Sequence, residues 1–162
     1  MNKDVLLAKQ ESVNEIVGKA KESQAMIVAE YRGLTVAQIQ ELRRALRVEN
    51  ASMNVYKNSL VERAADELKY SDLKQVLSGP NAVFFSTELS SGAKVLVKYA
   101  KRFGDNLVIK GGIFEGKFVD ANGVKEISKM PGREGLISML LSCLQAPVRQ
   151  FACTVKAVAD AK

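Results

Sequence analysis

The sequence contains no histidine, and its 162 residues include only two cysteines. Without histidine, the chain cannot use an imidazole general base, a serine or cysteine triad that depends on histidine, or most kinds of zinc site. Cys143 and Cys153 are ten positions apart. On one helix, a rise of about 1.5 Å per residue would separate them by roughly 15 Å, which is beyond disulfide reach. We therefore predict two buried, reduced cysteines in a reducing compartment.

The first thirty residues lack the pattern of a targeting segment. Lys3, Asp4 and Lys9 interrupt the apolar run at positions 5–8 before it can form the core of a signal peptide. The same residues include five acids and no arginine, which argues against an organellar transit peptide. The sequence therefore predicts a cytoplasmic protein.

Composition predicts a globular, basic protein. Hydrophobic residues make up 47% of the chain and charged residues 26%, so 162 residues can bury one core and support an appendage. The formal net charge is +6. This charge favours an anionic partner such as RNA but does not identify one, because many enzymes are equally basic.

Residues 31–60 predict a turn, a basic helix, a second strand and the start of another helix, directly after a first strand at Met26–Glu30. Tyr31-Arg32-Gly33 ends that strand where a glycine can take positive φ. Thr35 is placed to cap the next helix, with Gln38 completing a capping box. After the second strand, the junction Lys57-Asn58-Ser59 provides residues that can cap the following helix and attract an anion.

The helix after Thr35 has one apolar and one basic side. Residues spaced by three or four predict a buried stripe: Val36, Ile39, Leu42 and Leu46. The opposite side carries Arg43, Arg44 and Arg47. Because the helix, turn and junction could converge, Arg32, Arg43, Arg47, Lys57 and Asn58 form one candidate surface for RNA phosphates. A second basic face competes for that role, with Lys94, Lys98, Lys101 and Arg102 and little acid nearby.

One segment resembles an enzyme motif. Gly111 to Lys117 has the glycine and lysine spacing of a phosphate-binding loop and follows a strand-like run. Phe118 occupies the position where that loop needs a serine or threonine to bind magnesium. Phe118-Val119 also favours a returning strand, so we predict a hairpin over Leu107 to Phe118 with its turn at Glu115-Gly116.

The remaining pattern predicts strands that alternate with helices around a mixed β-sheet in one globular domain, followed by a long C-terminal α-helix. The first helix, Val5 to Ser23, is predicted to bury Leu6, Val13, Ile16 and Val17. Residues 1–130 form the predicted globular domain, and residues 131–162 form a hinge and the terminal helix.

The terminal helix has an apolar stripe that nothing later in the sequence can cover. The stripe comprises Leu136, Leu140, Leu144, Val148, Phe151, Val155 and Val158. Its uncharged run, Leu136 to Val148, contains Pro147, which should kink or segment the helix, and is predicted to be too short for a membrane span. Such a helix either folds back onto the domain or docks a partner, and the pattern alone favours neither.

Several segments together resemble the bacterial large-subunit ribosomal protein L-ten family, at the base of the ribosomal stalk. The matching segments are Tyr31-Arg32-Gly33-Leu34-Thr35, Glu41-Leu42-Arg43, Lys57-Asn58-Ser59-Leu60, and Ser78-Gly79-Pro80 before Ala82-Val83-Phe84-Phe85. Family members usually have threonine where this chain has Ser59. The resemblance covers essentially the whole chain in the same order and spacing.

The resemblance implies an α+β globular domain with a mixed β-sheet packed with helices, in a structural constituent of the large ribosomal subunit without a cofactor, metal or enzymatic activity. The globular domain would bind large-subunit ribosomal RNA beside a neighbouring stalk-base ribosomal protein. The family's motifs favour the first basic surface over the face with Lys94, and they predict these RNA-binding residues: Arg32, Gly33, Arg43, Arg47, Lys57, Asn58 and Ser59. The terminal helix would anchor dimers of the acidic stalk protein L-seven/L-twelve, and so support recruitment of translation GTPases. The two halves divided by Pro147 predict two dimers. The resemblance also implies repression of the protein's own messenger.

Two alternatives from other classes are testable. A nucleotide-binding enzyme using Gly111 to Lys117 would bind ATP or GTP and lose that binding on Lys117→Ala. A protein-only interaction module would show no salt-dependent RNA affinity.

Overall fold

The computed structural model describes residues 3–160, except for the side chains of residues 3–6, 71 and 105. The chain divides into two compact units, Met1–Met130 and Pro131–Lys162. Short 3-10 helices occupy Ser71–Val76 and Gly104–Asn106. The α-helices of the described residues are α1 (Lys3–Glu22), α2 (Val36–Val48), α3 (Asn58–Glu67), α4 (Ser91–Phe103), α5 (Ala121–Ile127) and α6 (Arg133–Asp160).

The described strands are β1 (Ala25–Glu30), β2 (Ala51–Asn54), β3 (Asn81–Ser86), β4 (Val108–Phe114) and β5 (Lys117–Asp120). They form a single five-stranded sheet in the first unit, with the order β2-β3-β1-β4-β5. Every adjacent pair is antiparallel. The α+β class with one sheet and a long terminal helix is confirmed, whereas the sheet is antiparallel rather than mixed. Strands β1 and β2 run in the same direction, but β3 lies between them, so they never pair.

Alternating strand residues build a separate core on each face of the sheet. On one face, Ile27 and Phe84 pack with Leu42 and Leu46 of α2 and with Leu96 of α4. This face therefore carries α2 and α4, and it also carries α5 through Val124.

The other face carries α1, α3 and the first 3-10 helix. Val28 and Phe85 of the sheet belong to the same cluster as Val13 and Ile16 of α1 and Val61 of α3. Val13 and Ile16 are buried as predicted, and Val17 packs partly against them. The predicted role of Leu6 lies outside the side chains that the structure describes.

Helix α2 begins with the predicted capping box. The Thr35 hydroxyl accepts from the Gln38 backbone N–H at 3.4 Å, and the Thr35 N–H donates to the Gln38 side chain at 2.9 Å. Leu42 and Leu46 are fully buried, but Val36 is 73% exposed, so its assignment to the buried stripe is wrong. Val36 is the first helical residue and lies in the turn before the helix reaches the sheet.

The segment with phosphate-loop spacing is a β-hairpin, as predicted. Gly111 lies inside β4 and pairs with Asp120, whereas Lys117 begins β5. Glu115 and Gly116 form the turn with φ values of 49° and 81°, the left-handed conformation that such turns require. The backbone that a phosphate loop would present to a nucleotide is therefore engaged in strand pairing.

Asn81 begins β3 and is only 4% exposed. Within the described part of the chain, neither its amide nitrogen nor its amide oxygen has a hydrogen-bond partner. A buried, unpaired polar group costs roughly 1–3 kcal/mol. We expect Asn81→Val to raise the free energy of unfolding by about 1 kcal/mol in urea denaturation. The near-isosteric Asn81→Asp should lower it, since it buries a charge. A loss of stability in Asn81→Val would contradict the assignment of an unpaired amide.

Candidate nucleic-acid and partner-binding interfaces

A groove runs along the open edge of β2, which is the outermost strand on its side of the sheet. Arg43 and Arg47 of α2 line it with Glu15 and Lys19 of α1. Its remaining lining residues run from Ala51 to Tyr56, and its volume is about 510 Å³. Arg43 and Arg47 are one helical turn apart, so both can reach the same groove. We call this surface the β2 groove.

Charges on the α1 side of the β2 groove largely cancel. Lys19 pairs with Glu15, and its Nζ also donates to the Tyr56 hydroxyl at 3.2 Å. The Lys19 ammonium lowers the pKa of Glu15, and the hydrogen bond to Glu15, followed by that to Tyr56, raises the pKa of Lys19. Both groups are charged at neutral pH. In contrast, neither Arg43 nor Arg47 has an ion-pair partner among the described residues, so the net positive charge of the groove comes from α2.

Arg32 and Gly33 form the turn between β1 and α2. Gly33 has φ of 91°, and a Cβ there would lie 2.8 Å from the Asn106 side-chain oxygen. Both the conformation and the close approach favour glycine. Arg32 is exposed, and the turn is closed by Leu34 N–H donating to Tyr31 O at 3.4 Å. Gly33 therefore shapes the turn that presents Arg32.

The junction before α3 differs from its expected capping. Lys57 occupies the N-cap position and makes no side-chain cap hydrogen bond, so the prediction that Asn58 or Ser59 caps the helix is wrong. Asn58 instead donates through Nδ2 to Gly79 O at 2.9 Å. The side chain thus ties the start of α3 to the Ser78-Gly79-Pro80 loop. The exposed Lys57 and Ser59 lie beside the first-turn N–H groups, where an anion is favoured.

The predicted RNA-binding residues extend along the sheet instead of converging on one point. Strand β1 ends at Glu30, which pairs with Asn81 of β3. Strand β2 ends at Asn54, which pairs with Val83, two residues further along β3. Arg32-Gly33 and Lys57-Asn58-Ser59 follow those two strand ends, so they lie at the same end of the sheet. Arg47 lies at the other end, where it lines a small cleft with Ala51. Arg43 is one turn closer to the first group.

The competing basic face is larger than its sequence pattern showed. Lys94, Lys98 and Lys101 of α4 line a cleft with Lys129, which follows α5. Lys125 joins Lys101 and Lys129 in an adjoining cleft. Lys125 and Lys129 were not predicted to belong to this face, although their spacing of four residues was a usable signal. Lys125 lies in α5 and Lys129 lies just after it. Arg102 is paired with Glu41 of α2, so it is not free of acid as predicted.

Helix α6 extends through Pro147 as one continuous helix, so the expectation that Pro147 divides it into two helical segments is wrong. No residue in it is buried, and Leu144 and Phe151 are 69% and 71% exposed. The predicted apolar stripe is therefore unpaired. Cys143 and Cys153 are free thiols but exposed, so the prediction that they are buried is wrong. The reason is that, among the described residues of its own unit, α6 has no neighbouring element that could bury them.

Among the described residues, α6 alone is long and apolar enough to cross a membrane by length and composition. The prediction concerned only the uncharged run, Leu136 to Val148, whereas the helix continues beyond that run to Asp160. Length and composition do not distinguish a membrane span from an exposed helix that docks a protein. Arg149 and Lys156, with Pro147, are costly at the centre of a bilayer unless other groups pair with them.

Comparisons with known proteins cover both units. Residues 5–101 match the family model for ribosomal protein L10, and residues 130–162 match that for the ribosomal protein uL10 C-terminal region. The chain is 49% identical over 159 residues to large ribosomal subunit protein uL10 of Bacillus cereus strain B4264, covering 98% of this chain and 95% of that protein. The protein of the same name from Bacillus anthracis strain A0248 gives the same identity and coverage. The similarity therefore includes the sheet, the basic surfaces and α6.

Proposed function

Because the chain belongs to the ribosomal protein L10 family, we propose that its globular unit binds large-subunit ribosomal RNA. The RNA would contact the β2 groove, the start of α3 and the Arg32-Gly33 turn. Helix α6 would anchor the acidic stalk protein L-seven/L-twelve. The protein is a structural component of the bacterial large ribosomal subunit, located on cytoplasmic ribosomes, and its family is not an enzyme family. A neighbouring stalk-base ribosomal protein would share the RNA. The same RNA surface would bind the protein's own messenger during autorepression.

The unpaired Arg43 and Arg47 in the β2 groove are the observation that carries the RNA assignment. The guanidinium of arginine holds several N–H donors in a geometry that matches phosphate oxygens. An unpaired guanidinium can bind phosphate without first breaking an ion pair with a carboxylate. Lys57 follows directly after Tyr56, the last lining residue of the groove. The groove and the start of α3 therefore provide a continuous positive path of the kind that a phosphate backbone can follow.

The double substitution Arg43→Ala and Arg47→Ala tests this assignment. Loss of two phosphate contacts should reduce the slope of log affinity against log salt by about 1–2 and weaken binding to a stalk-base fragment of large-subunit RNA about tenfold. Filter binding across a salt series measures both quantities. Lys117→Ala, at the opposite edge of the sheet, removes a charge without changing the groove and should leave both quantities unchanged. If the double variant had the affinity and slope of the original chain, the β2 groove would not be the RNA site.

The exposed apolar stripe of α6 carries the stalk-protein assignment. Seven large apolar residues at helical spacing have no packing partner among the described residues of their own unit. Such a surface suits helix-to-helix docking. Proline at position 147 removes one helical N–H donor and disfavours continuous regular packing. Residues 136–146 and 148–159 would each bind one dimer, for a total of two.

A further inference from the structure

A second basic surface lies on the α4–α5 side of the globular unit, and the proposed RNA contact does not use it. Two adjoining clefts form it, with volumes of about 580 and 590 Å³. They share Val97, Lys101, Ser128 and Lys129. We define this α4–α5 surface by its five lysines: Lys94, Lys98, Lys101, Lys125 and Lys129.

The charge of the α4–α5 surface is not neutralised by its surroundings. No acidic residue lines either cleft, and none of the five lysines has an ion-pair partner among the described residues. Arg102 also lines one of the clefts, but its guanidinium forms an ion pair with Glu41. Five like charges at close range repel one another, so a bound polyanion would relieve that repulsion and release its own counterions.

The spacing of the lysines favours a phosphate backbone over a protein. Lys94, Lys98 and Lys101 are spaced by four and three along α4, which gives rises of about 6 and 4.5 Å. These distances suit successive phosphates contacted by flexible side chains. A protein partner would require a cluster of exposed apolar anchors. Leu107 and Ile109, which line the clefts, are only 2% and 7% exposed, and Val108 is the one exposed large hydrophobic residue of the lining, at 46%. A single valine does not make such a cluster.

We propose that the α4–α5 surface binds the phosphate backbone of a second RNA segment, distinct from the segment in the β2 groove. This proposal rests on the proposed RNA-binding function. The two surfaces are separate because β2 is at one edge of the sheet, whereas the clefts include the start of β4 and the region after α5. The protein would then bind two segments of one RNA at the same time, which would stabilise the tertiary structure of that RNA.

The test is a triple variant, Lys98→Ala, Lys101→Ala and Lys129→Ala, in the full-length chain. All three side chains are exposed, and a thermal melt should match that of the unsubstituted protein. With the stalk-base RNA fragment as probe, we expect about tenfold weaker binding and a salt slope reduced by about 2–3. In hydroxyl-radical footprinting, the triple variant should fail to protect a set of nucleotides that the Arg43→Ala, Arg47→Ala variant still protects. Lys117→Ala is again the charge control.

The other outcomes overturn the inference in distinguishable ways. If the triple variant binds normally while the arginine variant fails, the α4–α5 surface does not bind RNA, but the proposed function stands. Unchanged binding in both variants would remove the proposed function as well. Loss of the same protections in both variants would mean one RNA segment, not two. Normal RNA binding combined with loss of acidic stalk-protein binding would assign the lysines to a protein.

Discussion

Replacing Leu140 and Leu144 with glutamate is expected to release one of two bound stalk-protein dimers while the other stays bound. Both leucines lie in the half of α6 before Pro147 and are exposed in the isolated chain. Docking would bury each side chain, and burial of one leucine contributes about 1.5–3 kcal/mol. A glutamate in its place loses this contribution and introduces a charge that must be desolvated. The combined effect should weaken that dimer by at least about a hundredfold.

The reciprocal variant, Phe151→Glu with Val155→Glu, should release the other dimer. Native mass spectrometry of each complex measures the loss directly. Gln145→Glu with Gln150→Glu is the matched control, because these residues lie away from the stripe and add the same negative charge. The control should retain both dimers. If either stripe variant lost both dimers, or neither, the two halves of α6 would not be independent sites.

Phe84→Ala is expected to lower the free energy of unfolding by about 3–5 kcal/mol, the usual cost of removing a buried phenylalanine. Phe84 is 2% exposed, pairs with Ile27 and Met53 on the neighbouring strands, and belongs to the cluster that holds α2 and α4 against the sheet. The cavity left there cannot collapse easily, because strands close it on both sides. Urea denaturation measures the change.

Phe151→Ala gives the matched control for the same chemical change. Phe151 is exposed on α6, so its truncation should alter the free energy of unfolding by less than about 0.5 kcal/mol. A loss below about 1 kcal/mol in Phe84→Ala would contradict the core assigned to that face of the sheet.

Local features of this fold were predictable from the sequence because a few adjacent residues determine them. Thr35 and Gln38 form their capping box through bonds between near neighbours, and Glu115-Gly116 forms a tight turn through local backbone preference. The order of strands was not predictable, because placing β3 between β1 and β2 depends on contacts distant in sequence.

The candidate interfaces were predictable as residue types but not as arrangements. Arg43 and Arg47 were assigned to one face of α2, and the structure brings them into one groove. Their separation from Arg32 follows from strand register, which the sequence does not display. Lys125 and Lys129 contribute to the α4–α5 surface only because α5 packs beside α4. Cys143 and Cys153 were predicted to be buried, but both are exposed. An apolar helical pattern indicates a surface that favours burial, but it does not indicate whether the same chain or a partner buries it.

Whether α6 anchors two stalk-protein dimers is tested by the native mass of the tagged chain, purified from its own cells after a high-salt wash that strips RNA. We expect one copy of this chain carrying four copies of one small acidic protein, which corresponds to two dimers on α6. A bare monomer or a self-dimer would mean that the apolar stripe is covered by the chain itself, and the proposed stalk-anchoring function would be contradicted. Two or six copies would contradict the two-segment interpretation of the helix.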